Sequence, residues 1–109
     1  MDYIHCTRQT DHGPKPYVTN VEQMSQQNRY FRSAVRTGRH VQMTVMCIPP
    51  CGEIGLEIHE ETDQFIRVEQ GCALVKMGES KRELDFQQNM CRGDAVFVPA
   101  GIWHNVINT

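Results

Sequence analysis

Short runs of alternating apolar and polar side chains dominate the sequence from residue 40 onward. HVQMTVMCI and QFIRVEQ show this period, and glycine or proline separates them from CALVKMG and AVFVPAGIWHNVIN. A period of two is the repeat of a β-strand with unlike faces, whereas an amphipathic helix repeats at about 3.6 residues. Several such runs at about ten-residue spacing predict an all-β barrel or sandwich, and no strand–helix–strand pattern suggests a parallel sheet.

The first 39 residues have a different character. Residues 1–16 are polar and contain glycine and proline, which is typical of an irregular arm. Asn20 followed by Gln23 is a capping-box pattern and predicts a short helix at about 21–27. Residues 29–39 fit either a helix or a strand. We expect an N-terminal arm, a short helix and a first strand in 1–39, and the core of a single-domain barrel in 40–109.

Length and charge exclude several classes of protein. The 109 residues suit one domain, and the formal net charge is -2, from 11 basic and 13 acidic residues. This balance argues against broad electrostatic binding to nucleic acid or to anionic lipid. No apolar run approaches the ~20 residues needed to span a membrane, and the beginning of the chain has no secretory signal. We therefore expect a cytoplasmic protein that binds neither nucleic acid nor membrane.

The chain has five cysteines: Cys6, Cys47, Cys51, Cys72 and Cys91. An odd number without an export signal predicts free thiols in a reducing compartment. Cys47 and Cys51 have a spacing that could form half of a zinc site, but no matching ligand pair follows and two prolines lie between them. We expect Cys47 to pack as a small apolar side chain at the end of a strand.

Two segments carry motifs. GDAVFVPAGIWHNVIN fits the pattern G-x5-P-x-G-x2-H-x3-N at every fixed position. EIGLEIHEETDQFIRVEQG fits H-x4-E-x6-G in spacing, with glutamine at the glutamate position. Together these are the paired signatures of the cupin superfamily, and over residues 40–108 the chain resembles a small single-domain cupin of the conserved-barrel type. The fixed positions are Gly93, Pro99, Gly101, His104 and Asn108 in one motif, and His59, Gln64 and Gly71 in the other.

The resemblance implies a double-stranded β-helix, or jelly-roll barrel, with a metal site inside. In a strand, residues two apart share a face, so Glu57 and His59 project the same way. Gln64 shares its face with Ile66 and Val68. The cupin pattern has histidine where this chain has Glu57, and glutamate where it has Gln64. The implied ligand set is Glu57, His59, Gln64 and His104, around one divalent ion of Fe, Mn, Ni, Co or Zn.

Other interpretations of these residues stay open. Asp63 replaces Gln64 as the fourth ligand if the strand shifts by one residue. Glu57 and His59 could be solvated side chains, and Glu60, Glu61 and Asp63 could form a superficial acidic cluster. His104 could be a structural core histidine. Phe65, Phe97 and Trp103 could line a pocket, or lie in the core or at an interface.

Fold does not decide function among cupins. We expect a metal-binding cupin that binds or acts on a small polar organic molecule, as a metal-dependent oxygenase or isomerase. The alternatives are a non-catalytic module that senses a ligand or metal, and a structural barrel with a degenerate site. The chain stops one residue after Asn108. That predicts either a fragment of a longer protein or a homodimer in which the barrel edge or the N-terminal arm crosses to the partner.

Overall fold

A computed structural model describes residues 10–109 of the chain. The predictions for Cys6 and for the first nine residues of the arm lie outside this range. The described chain forms two compact units, one ending at Cys47 and the other comprising Ile48–Thr109. The division between residues 39 and 40 that the sequence suggested stays a prediction. Within residues 10–109, no helix is long and apolar enough to cross a membrane.

The first unit contains a helix and a pair of strands. Helix α1 (Val21–Gln27) begins where the capping box predicted, since the Asn20 side chain accepts the Gln23 amide at 2.9 Å. Strands β1 (Arg32–Thr37) and β2 (Gln42–Met46) pair antiparallel. Val35 and Val45 are buried on them. The stretch 29–39, which fitted either a helix or a strand, is thus largely a strand, because β1 pairs with β2.

The second unit contains five antiparallel strands in two sheets. They are β3 (Gln64–Arg67), β4 (Cys72–Gly78), β5 (Phe86–Cys91), β6 (Ala95–Val98) and β7 (Trp103–Asn108). β3 pairs with β6 as a two-stranded ribbon, and β4 lies between β5 and β7 in a three-stranded sheet. This arrangement confirms the all-β prediction.

The core of the second unit lies between the ribbon and the three-stranded sheet. Ala73, Val75 and Met77 alternate along β4 and are buried. Ile66 of β3 and Val96 of β6 pack against the cluster that these residues form. Strands β3, β4 and β6 therefore each have one core-facing side, as the period of two predicted.

The fixed glycines and asparagine of the second motif shape corners. Gly93 and Gly101 have φ values of 91° and 81°, a region that residues with a Cβ rarely adopt. The Asn108 side chain donates to the carbonyl of Ile48 at 2.8 Å. These three residues thus fix the path of the backbone, as expected for glycine and asparagine at these positions of the motif.

The prediction of free thiols is wrong for two of the cysteines. Cys72 and Cys91 lie directly opposite each other on β4 and β5 and form a disulfide, with their Cα atoms 4.0 Å apart. The adjacent pair, Gly71 and Arg92, carries a backbone hydrogen bond, so the cysteines occupy a non-hydrogen-bonded position, where side chains approach most closely. Cys47 and Cys51 are free and exposed, so Cys47 does not pack as predicted.

Candidate metal centre

Three side chains from the two motifs converge in the second unit. Ligand atoms of Glu57, His59 and His104 all lie within 4.8 Å of one another. Glu57 Oε1 is 3.5 Å from Nε2 of His59 and 3.5 Å from Nε2 of His104. The centroids of the two imidazole rings are 5.5 Å apart. Two imidazoles and one carboxylate therefore face a common point.

Strand β7 positions His104. Its ring is 0% exposed, and Nδ1 lies 3.1 Å from the carbonyl oxygen of Ile102. Because a carbonyl oxygen can only accept, Nδ1 carries the proton and donates it to this bond. Nε2 then lies on the side of the ring that faces Glu57. A second hydrogen bond that fixes the tautomer in this way is characteristic of histidines that bind metal ions.

Glu57 and His59 come from a segment that lies alongside β7 and makes isolated bridges to it without forming a strand. The Glu57 amide donates to the His104 carbonyl at 3.0 Å, and the His104 amide donates to the Glu57 carbonyl at 2.9 Å. The Gly101 amide donates to the His59 carbonyl at 2.8 Å. These backbone bonds bring the first motif to the second. Glu57 and His59 contribute to one cluster, as their two-residue spacing predicted.

Asn105, which was not among the predicted site residues, supports this segment. Its side-chain Oδ1 accepts the Gly55 amide at 2.9 Å, and the residue is buried. Gly55 has a φ of 105°, which turns the backbone just before Glu57. The polar side chain inside the strand run WHNVIN is the signal that would have identified this residue, since a buried amide needs a partner.

Gln64 and Asp63 have different environments. Exposure alternates along β3, with Gln64 and Ile66 half-buried and Phe65 and Arg67 exposed. Gln64 Oε1 is buried and has no hydrogen-bond partner within the described chain. Asp63 is exposed, and its Oδ1 accepts the Ala100 amide at 2.9 Å. The shift that would turn Asp63 inward is therefore not present, while Gln64 as a fourth ligand stays a prediction.

The cluster is buried on one side and open on the other. The side chain of Glu57 is 27% exposed and that of His59 is 40% exposed, against 0% for His104. Glu60 and Glu61 nearby in sequence are exposed. Phe65 and Phe97 are exposed on the ribbon, whereas Trp103 is half-buried. The cluster is therefore exposed on the side of Glu57 and His59, whereas His104 lies on its buried side.

Comparison with known proteins agrees with this geometry. The model of the Cupin domain family matches residues 44–109, more than half of the chain. The crystal structure of BH2720 from Bacillus halodurans is similar, with a TM-score of 0.90 and 51% identity, over 92% of this chain and 76% of that one. These matches confirm the resemblance and the all-β fold that the sequence predicted.

Two uncharacterized curated proteins are also similar. YrkC of Bacillus subtilis (strain 168) is 54% identical over 99 residues, which cover 91% of this chain and 53% of YrkC. L612 of Acanthamoeba polyphaga mimivirus is 37% identical over 93 residues, covering 85% of this chain and 56% of L612. The chain thus spans about half the length of the curated relatives it matches.

Proposed function

We propose a metal-dependent function for this chain, which belongs to the cupin domain family. Glu57, His59 and His104 would hold one divalent transition-metal ion, with the amide oxygen of Gln64 as a weaker fourth ligand. The ion would bind or activate a small polar organic molecule that reaches it from the exposed side of the cluster. The observation that carries the proposal is the meeting of two histidine nitrogens and one carboxylate within 4.8 Å.

The polar atoms of the cluster fit a cation. His59 Nε2, His104 Nε2 and Gln64 Oε1 are buried and lack a hydrogen-bond partner among residues 10–109. A buried polar atom without a partner costs roughly 1–3 kcal/mol, so three of them in one unit call for an explanation. A bound cation would satisfy both ring nitrogens, and Glu57 would offset one of its positive charges.

The donor set narrows the choice of metal without fixing it. Two imidazoles and one carboxylate suit Fe, Mn, Co, Ni or Zn, and the same combination occurs in the facial triads of non-haem iron oxygenases. Such an ion, when bound, supplies a Lewis acid or a site for O2. His104 would bind the ion from the buried side of the cluster. His59 and Glu57, which are partly exposed, would bind it on the side that a substrate reaches from solvent.

Metal analysis of the purified chain tests the proposal. After anaerobic purification we expect close to one divalent ion per chain, and a rise in melting temperature of about 10 °C or more at metal concentrations far above Kd. The variant His59→Gln should lose both effects. His40→Gln is a matched control, because His40 is exposed in the first unit. Absence of stoichiometric metal together with no thermal shift would reject the metal site.

Catalysis is tested separately from binding. Oxygen uptake, or isomerisation followed by NMR, would be measured with the metal-loaded chain on a panel of small diols, catechols and keto acids. Turnover that disappears in His59→Gln and persists in His40→Gln supports the enzyme. Metal and ligand binding without turnover would instead support the alternative of a sensing module.

A further inference from the structure

The core-facing side of strand β5 is buried at one end and open at the other. Met90 lies opposite Ala73 of β4, and both residues are buried in the core. Phe86 is four residues before Met90 on the same strand, so it faces the same side of the sheet. Its side chain is nevertheless 49% exposed. A core-facing aromatic ring that stays half in solvent marks an uncovered part of the interior.

One row of side chains connects this open part with the candidate metal centre. Met77 of β4 pairs with Phe86 on one side and with His104 on the other. Residues directly opposite each other in antiparallel strands share a face. Phe86 and His104 are two strand spacings apart, which is about 10 Å. The row thus runs from buried His104, whose Nε2 lacks a hydrogen-bond partner in the described chain, across buried Met77 to an exposed ring.

A cavity of about 400 Å³ adjoins the exposed ring. Met77 and Phe86 form its apolar wall, and Glu79, Glu83 and Asp85 of the hairpin between β4 and β5 add three carboxylates. This volume lies in the range of sites that hold small organic molecules, and an apolar wall beside a few polar groups is their usual lining. The cavity therefore has the size and composition of a binding site for a small ligand.

The charge of the cavity is entirely negative. Among the described residues that line it, none is basic, and its three carboxylates make no ion pair within residues 10–109. Lys81 belongs to the same hairpin, but its Nζ lies 6.0 Å from the centroid of the Trp103 ring. Trp103 is adjacent to His104 on β7 and so faces the opposite side of the sheet. Arg82 is exposed and does not line the cavity.

We propose that this hairpin cavity, defined as Met77, Glu79, Glu83, Asp85 and Phe86, binds the body of the substrate and selects an organic cation. The inference rests on the proposed function, since it concerns which molecule reaches the metal. An aromatic or aliphatic body would pack on the apolar wall, with a protonated amine among the carboxylates and a polar group directed along the row towards His104. The Phe86 ring adds attraction for a cation. A carboxylic acid would meet like charge instead.

Three probes that differ only in one end group test the selection of charge. Phenethylamine, 2-phenylethanol and 3-phenylpropionate carry an ammonium, a hydroxyl and a carboxylate on the same body, and their binding to the metal-free full chain would be followed by NMR. We expect phenethylamine to bind with a Kd of about 1 mM, as is usual for a ligand of this size. The alcohol should bind about fivefold more weakly and the acid about twentyfold more weakly. Equal affinities would overturn the proposal.

Removal of the exposed ring tests the location of the probe. Phe86→Ala should weaken phenethylamine binding by about tenfold, because an aromatic contact is lost. Phe65→Ala is the matched control, since Phe65 is 59% exposed on the outer side of the ribbon. In the parent chain the probe should shift the methyl resonance of Met77. A Kd that Phe86→Ala leaves unchanged would place the probe elsewhere and contradict the proposal.

Removal of two carboxylates tests the cause of the selection. In the double variant Glu79→Gln/Asp85→Asn, the preference for phenethylamine over 3-phenylpropionate should fall by about tenfold. The variant Glu60→Gln/Glu61→Gln is the control, because it removes the same charge from exposed residues outside the cavity. It should keep the preference. An equal loss in both variants would mean that net charge, and not the cavity, discriminates between the probes.

Loading with Mn²⁺ tests whether the cavity and the metal centre form one site. The paramagnetic ion should speed the relaxation of the ring protons of bound phenethylamine, and His104→Gln, which loses the ion, should not show this effect. If Mn²⁺ binds and the bound probe is unaffected, the cavity does not serve the metal centre. If the chain binds no Mn²⁺, the proposed function fails, while the metal-free measurements still decide whether the cavity selects cations.

Discussion

Strand β7 and the segment Glu53–His59 both contribute to the candidate metal centre, but they are held in different ways. β7 pairs with β4 without interruption from Trp103 to Asn108. Glu53–His59 makes isolated bridges at Glu53 and Glu57, and forms no strand within the described residues. His104 on β7 is fully buried, whereas Glu57 and His59 are partly exposed.

The site thus combines two parts: a rigid half, which is His104 on β7, and an adaptable half, which is Glu57 and His59 in the segment Glu53–His59. The continuous pairing of β7 with β4 fixes the backbone at His104. Glu57 and His59 depend on a few bonds to β7 and its corner, including the one that Asn105 accepts from Gly55. Segments with few buried contacts open more readily than central strands. Changes on β7 itself should therefore act on the centre most strongly, and changes remote from both halves should not act on it.

The largest effect is expected at His104. His104→Gln removes the buried ring nitrogen, so metal affinity should fall by more than about a hundredfold, beyond the range typical of residues that only support a ligand. Isothermal titration with the metal found in the purified protein measures this. His12→Gln serves as the control, because His12 is exposed and stacks on Tyr17 in the first unit. If His104→Gln folds and binds metal as tightly as the parent, the rigid half does not contribute a ligand.

Glu57→Gln tests the adaptable half. The change keeps the shape and removes the negative charge that would face the cation, so metal affinity should fall by roughly ten- to a hundredfold. Glu53→Gln, an exposed glutamate in the same segment, should have the parent's affinity. Equal affinities of the two variants would exclude Glu57 as a ligand.

Asn105→Ala should loosen the segment without removing a ligand. The Gly55 amide loses its acceptor, and we expect metal affinity to fall by about tenfold, as for other residues that orient ligands. Hydrogen exchange at Gly55 should become faster, while exchange along β7 stays slow. Asn89→Ala on β5 is the control, since Asn89 is exposed. Unchanged exchange at Gly55 would contradict the role given to Asn105.

Loss of the disulfide should have the smallest effect on the centre. Cys72 pairs next to the C-terminal end of β7, five residues along β4 from Met77, which pairs with His104. Replacing Cys72 and Cys91 by alanine should lower the free energy of unfolding by about 3 kcal/mol, as expected for a closed loop of this length. Metal affinity should stay the same. A clear loss of affinity in a folded double variant would mean that the two ends of the sheet are coupled.

Much of the fold was predictable because it rests on local patterns. The capping box located α1, and alternating side chains with glycine or proline corners located β2, β3, β4, β6 and β7. Strand β5 was missed, since FQQNMC is mostly exposed and has no regular apolar period. The disulfide was also missed, because it depends on the register between β4 and β5, which composition does not contain.

The candidate site was predictable to a similar degree. Spacing and motif identified Glu57, His59 and His104, which the structure brings together. The support from Asn105 to Gly55 was not predictable, because the two residues are fifty positions apart and meet only when the first motif folds along β7. The outward position of Phe65 follows from the alternation along β3, which the assignment of Gln64 as inward already implied, and Phe97 lies opposite Phe65 on β6.

The most direct test of the central claim is a crystal structure of the protein as isolated, with an anomalous-scattering map. We predict one strong peak bound by Nε2 of His59, Nε2 of His104 and the carboxylate of Glu57, at about 2.0–2.2 Å from each. Rings that point to different places, or a metal peak bound by other residues, would contradict it.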